Sequence, residues 1–229
     1  MDRTSAAKAN KATPTDPQAE SDLVIDYMAL RKAIGWMGMA LPFVVALGAT
    51  LLFRTELQSS ISAYYHTGMR NVLVGTLCAI GTFLFAYLGY DRMDRWVGRI
   101  AGGAALGIAL FPTPASSAPA GQEWWVGVVH WGSAVVFFLS IAHFSWFQFT
   151  KGQPGVRASA IKFRRNQVYR GCAITITAAL ALLGLHMLLP EGTRQRLAPI
   201  KPVFWLETAA VVAFGFAWLI KGQFWLRDR

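Results

Sequence analysis

Beyond residue 32 the chain alternates between long apolar runs and short polar stretches. The runs cover approximately 33–53, 69–90, 97–112, 125–148, 169–189 and 202–220. Each is close to the roughly 20 residues a helix needs to cross about 30 Å of hydrocarbon. Charged residues cluster between the runs instead of alternating within them, which is the pattern a bilayer selects. This predicts an all-α polytopic membrane protein, a bundle of six transmembrane helices. Residues 1–26 are rich in Ala, Thr, Lys, Pro and Asp and show no period. They hold too little apolar surface to offset their ordering entropy, which predicts a disordered tail ahead of a single 27–229 transmembrane domain. They also lack the apolar core of a signal peptide, so insertion falls to the first span.

Several residues punctuate the runs. Pro42 is expected to kink the first, which membrane helices tolerate when neighbours satisfy the freed carbonyl. Gly98 with Gly102, and Gly103 with Gly107, form small-x-x-x-small pairs on the third, a signal for close helix packing. Pro112 and Pro114 end that helix. Trp124, Trp125, Tyr169, Trp205 and Trp225 stand at span ends, where interfacial aromatics belong.

Charge orients the chain. The side holding the N-terminus carries 17 Lys and Arg against 5 on the other, which accounts for all 22. That asymmetry over short loops predicts cytoplasmic N- and C-termini in a bacterial inner membrane, as does the even number of spans. The net charge of +10 has the same origin: its basic residues lie beside apolar runs, so they read as orientation signals and not as a nucleic-acid surface. At 54% hydrophobic and 15% charged, the composition excludes an ordinary water-soluble domain. Cys78 and Cys172 sit within runs and read as packing residues. On the inner side, Asp91 and Asp94 are expected to pair with the arginines of 164–170. The loop carrying Lys162, Arg164 and Arg165 is expected to lie on anionic headgroups.

The candidate chemistry comes from costly residues at one height. The polar, aromatic stretch 59–70 precedes the second span and carries Ser62 and His66. With 1.5 Å rise per residue, His130 lies about 8 Å inside the outer end of the fourth span, His186 about 6 Å inside the fifth, and Glu207 about 9 Å inside the sixth. Three imidazoles and a carboxylate suit zinc, and three protein ligands plus a water make a hydrolytic centre. If the second helix begins at Ser62, its hydroxyl shares a face with His66 and orients the imidazole or a bound water. Two other readings stay open: a structural hydrogen-bond network, and a proton or solute pathway. His143 lies thirteen residues from His130, on roughly the opposite helix face. The chain shows no phosphate-binding Gly loop, metal-binding Cys pair or nucleophile elbow.

The phrases SISAYYHTGMRNVLVG (60–75), FLFAYLGYDRMD (83–94), ALFPTP (109–114), RRNQVYRGC (164–172) and FWLETAAVVAFGFAWLIKG (204–222) resemble a family of six-helix bacterial inner-membrane proteins with no assigned activity. Ser62-x-x-x-His66 is also similar to the Ser-x-x-x-His of alkaline ceramidases and adiponectin-type receptors, seven-helix zinc hydrolases. Their closing His-x-x-x-His has no counterpart in this chain. The resemblance reaches only Ser62 and His66; with the shared depth of the polar residues it leads to one expectation, a metal-dependent hydrolase acting on a lipid or amide from the outer leaflet, with Ser62 in the catalytic centre and His66, His130, His186 and Glu207 as metal ligands. The alternative is a non-catalytic small transporter, channel or structural subunit, with membrane lipids as its partners.

Overall fold

A computed structural model describes residues 17–87, 89, 91–114, 124–152 and 159–226. Seven α-helices follow in order: α1 (Pro17–Phe53), α2 (Arg70–Ala86), α3 (Arg92–Leu110), α4 (Trp124–His143), α5 (Ala160–Leu188), α6 (Glu191–Leu197) and α7 (Pro202–Lys221). No strand occurs among the described residues. Among the described residues, four helical stretches are long and apolar enough to cross a membrane: Tyr27–Phe53, Trp124–Gln148, Ala160–Leu188 and Pro202–Lys221. The protein is thus a helical membrane protein. α2 is apolar but only 17 residues long, and α3 opens on Arg92, Asp94, Arg95 and Arg99.

The six long helices close a ring. Each packs on its neighbour in the chain from α1 to α5, α5 packs on α7, and α7 returns to α1. Leu84, Ile141, Ile176 and Phe214 fill the ring, whereas Leu47, Leu51, Val135, Leu139, Leu182 and Leu188 stay exposed on its outside. Apolar side chains on both faces are what a helix between a protein core and lipid requires.

The closest seam joins α1 and α7. A Cβ placed on Gly215 would sit 2.5 Å from the Gly35 carbonyl oxygen, and one on Gly35 would sit 2.8 Å from the Gly215 carbonyl oxygen. α2 and α3 meet similarly, with Gly102 against the Gly81 carbonyl at 2.7 Å and Gly98 against the Leu84 carbonyl at 3.0 Å. Gly107 abuts Ser133 of α4. Gly103 breaks the expected pattern: it is exposed, and a Cβ there would meet only Phe85, at 3.9 Å. One residue is 100° of helix, enough to turn Gly103 out of the seam that holds Gly102.

Other boundaries also differ from expectation. Residues 1–16 of the expected tail lie outside the described residues, and 17–26 are helical, with Pro17 at the first position, where its missing N–H costs nothing. α1 continues through Pro42. α5 begins at Ala160, because the Ser159 hydroxyl accepts the Lys162 N–H at 3.1 Å and caps the helix. Lys162, Arg164 and Arg165 therefore stand on helical turns and not in a loop. Past α4 the chain makes one π-helical turn, Phe144–Gln148. α6 is a short surface helix, with Glu191 paired to Arg194.

Candidate functional site

The segment between α1 and α2 folds over one end of the ring as a short 3-10 turn, Ser62–His66, separate from α2. Its register is set locally. The Ser60 hydroxyl accepts the Ala63 N–H at 3.0 Å, and the Thr67 hydroxyl donates to the Tyr64 carbonyl at 2.8 Å. Tyr64 is fully buried, with its hydroxyl accepting the Gln58 N–H at 3.2 Å. The 3-10 form corrects the expected Ser62–His66 face. At three residues per turn, positions four apart diverge by about 120°. The Ser62 hydroxyl meets that of Ser60 at 3.1 Å, while His66 Nε2 donates to the Thr113 carbonyl at 2.8 Å.

Each remaining candidate has a defined place. Glu207, near the start of α7, accepts the Ile61 N–H at 2.6 Å, with the Ser62 N–H alongside. It satisfies the first free donors of the 3-10 turn from a different helix. His130 is buried, and its Nδ1 lies 2.7 Å from the Phe111 carbonyl. A carbonyl only accepts, so Nδ1 carries the proton. Pro112 and Pro114 have no N–H to offer, and His130 and His66 supply donors to Phe111 and Thr113 between them. His186 is half-buried near the end of α5, and its ring makes no hydrogen bond with the described residues. His143 lies at the opposite end of α4, 3.2 Å from the Gln148 amide nitrogen.

A cavity of about 60 Å³ runs inward beneath the turn. Ser62, Tyr65, His130 and Glu207 form its polar lining, and Leu77 and Phe138 belong to its apolar lining. From His130 to Phe138 along α4 is about 12 Å. The structure therefore brings Ser62, His130 and Glu207 to one cavity, and leaves His66 and His186 off its wall. Sequence reasoning missed Tyr65, although it stands next to His66 in the same polar stretch. Arg70 stacks on the Tyr65 ring at 4.2 Å and donates to its hydroxyl at 2.5 Å.

No three His, Cys, Asp or Glu side chains among the described residues group to hold a metal ion. His66 and His130 each donate one ring N–H to a carbonyl and keep the second ring nitrogen, and Glu207 gives one oxygen to backbone N–H groups.

The opposite end of the ring holds a second polar layer. Lys151 bridges Asp91 at 2.7 Å and the fully buried Asp94 at 2.8 Å. Lys151 went unread in the sequence; the π turn after α4 packs on α3 and carries it to this acidic pair. Hydrogen bonds to Lys151 and to the Asp94 N–H hold the Asp91 carboxyl at about 2. Burial opposes the charge of Lys151, but its bonds to both carboxylates outweigh that and raise its pKa. Arg31, which reads in sequence as a simple lead-in to the first span, is 3% exposed and lies over the Tyr27 ring at 4.3 Å.

No protein-family model, curated protein or solved structure matches this chain.

Proposed function

We propose that this chain is a six-span protein of the bacterial inner membrane, with both termini cytoplasmic, that binds an amphiphilic, lipid-like molecule in the outer half of its ring. The cavity carries this reading: beside the polar Ser62, Tyr65, His130 and Glu207 its lining is apolar, with Leu41, Leu73, Leu77, Ile108, Phe137 and Phe138 among it. Its volume is several times what one water needs, yet narrow, so it suits a slim alkyl group and not a bulky solute. The head of such a molecule stays at the rim beside Ser62 and Tyr65, with the Arg70 cation behind Tyr65. In this reading Glu207 and His130 hold the rim's backbone and do no chemistry.

A hydrolase acting on the same molecule is the second reading, supported by the shared lining of Ser62, His130 and Glu207. Both are tested by native mass spectrometry and metal analysis of the purified protein. The binding reading expects a co-purifying amphiphile that Ala134→Phe, which fills the cavity, removes while the fold stays intact. A preparation that holds no amphiphile and takes up no added fatty-acid probe overturns it. Turnover of a lipid ester or amide abolished by Ser62→Ala favours the hydrolase. Topology is read separately, with Cys78 and Cys172 replaced by Ala: a thiol at Thr193 should label from outside intact cells and one at Ala160 should not.

A further inference from the structure

α3 and α4 part on the outside of the ring to leave a groove of about 380 Å³, walled by Arg99, Ile100, Gly103, Val129, Gly132 and Val136. Two glycines make it. A Cβ on Gly132 would meet nothing within 4 Å, and one on Gly103 only Phe85 at 3.9 Å. Unlike Gly98, Gly102 and Gly107, neither is needed for a helix to approach, so packing inside the protein does not account for them.

At one end of the groove stands Arg99, four residues before Gly103 and hence on the same helix face. It is exposed, seven residues into α3, and its guanidinium lies 5.5 Å from the Trp96 ring. Among the described residues it has no carboxylate partner: the two acidic groups near the start of α3, Asp91 and Asp94, are bridged by Lys151. Arg95 and Arg92 continue the same stripe toward the helix start, about 10 Å from Arg99 to Arg92. A cation this far along an otherwise apolar helix needs an anion, and its long stem lets the charge reach back to the interface. The anion a bilayer offers at that level is a lipid phosphate, which a guanidinium binds through paired N–H donors.

We propose that this groove binds an anionic phospholipid, with one acyl chain in the slot over Gly103 and Gly132 and the phosphate against Arg99 and Arg95. The groove lies on the outside of the ring and shares no lining residue with the inner cavity, so the site stands or falls independently of the cavity's ligand.

The test is titration of the purified, detergent-solubilised protein with phosphatidylglycerol and with phosphatidylcholine, reading bound lipids by native mass spectrometry. Phosphatidylglycerol should bind in preference. Arg99→Gln should weaken it roughly tenfold, the loss of one charge-assisted contact. Gly103→Leu should weaken it without changing any charge, in a protein that melts like the parent. If Gly103→Leu does not fold, Gly132→Leu, at the fully open position, serves the same purpose. Equal binding of the two lipids overturns the proposal, as does undiminished binding in Arg99→Gln. A dimer that Gly103→Leu converts to monomer also overturns it, because the occupant is then a second copy of the chain.

Discussion

The seam between α1 and α7 makes the sharpest stability prediction. Replacing Gly215 with Ala adds a single methyl group, but its carbon would lie 2.5 Å from the Gly35 carbonyl oxygen and 3.0 Å from Met39 Cα. The first distance is about 0.9 Å short of the 3.4 Å at which ordinary contact begins. Both obstacles are backbone, so no side chain can rotate aside and the helices must separate. Overpacking of this kind costs typically about 1–3 kcal/mol. For a chain of this size each kcal/mol moves the midpoint by about 2–4 °C, so the expected fall is about 2–12 °C. Gly103→Ala is the control, since its added carbon meets only Phe85 at 3.9 Å and should leave the midpoint within about 2 °C. The assay is thermal unfolding of both variants in one detergent, followed by scanning fluorimetry and by size-exclusion chromatography of the heated samples. A Gly215→Ala protein that melts with the parent, or a Gly103→Ala protein that falls as far, would refute the assignment of these two faces.

Glu207→Ala removes the acceptor for the Ile61 N–H, leaving a donor unsatisfied at about 1–3 kcal/mol; limited trypsin digestion should then cut more readily at Arg54 or Arg70, and unchanged resistance counts against the clasp. His130→Ala should cost about the same by freeing the Phe111 carbonyl, whereas His66→Ala, at an exposed bond, should cost less; equal melting losses would contradict that order. Because the Asp91 pKa is depressed, its contribution is fully present above its ordinary value of 3.8 and is lost as pH falls toward about 2. The melting point should therefore drop across that window in the parent and drop less in Lys151→Met, and parallel acid profiles would rule out the Lys151 bridge as its cause.

The apolar helices were legible from sequence, because they follow from a one-dimensional rule: a bilayer requires about 20 apolar residues. His130 and Glu207, expected at similar depth on different helices, both line one cavity. Facing was not legible. His186, expected at their depth, lines no part of the cavity, and Gly103 differs from Gly102 by one residue and faces out instead of in. The helix start at Ser159, the 3-10 geometry that parts Ser62 from His66, and the pairing of Asp91 and Asp94 with Lys151 were likewise decided late. Rotation about a helix axis is set by which neighbour closes the ring and how near its backbone comes. Only the packed tertiary structure supplies that information, and it decided which backbone groups Glu207 and His130 meet.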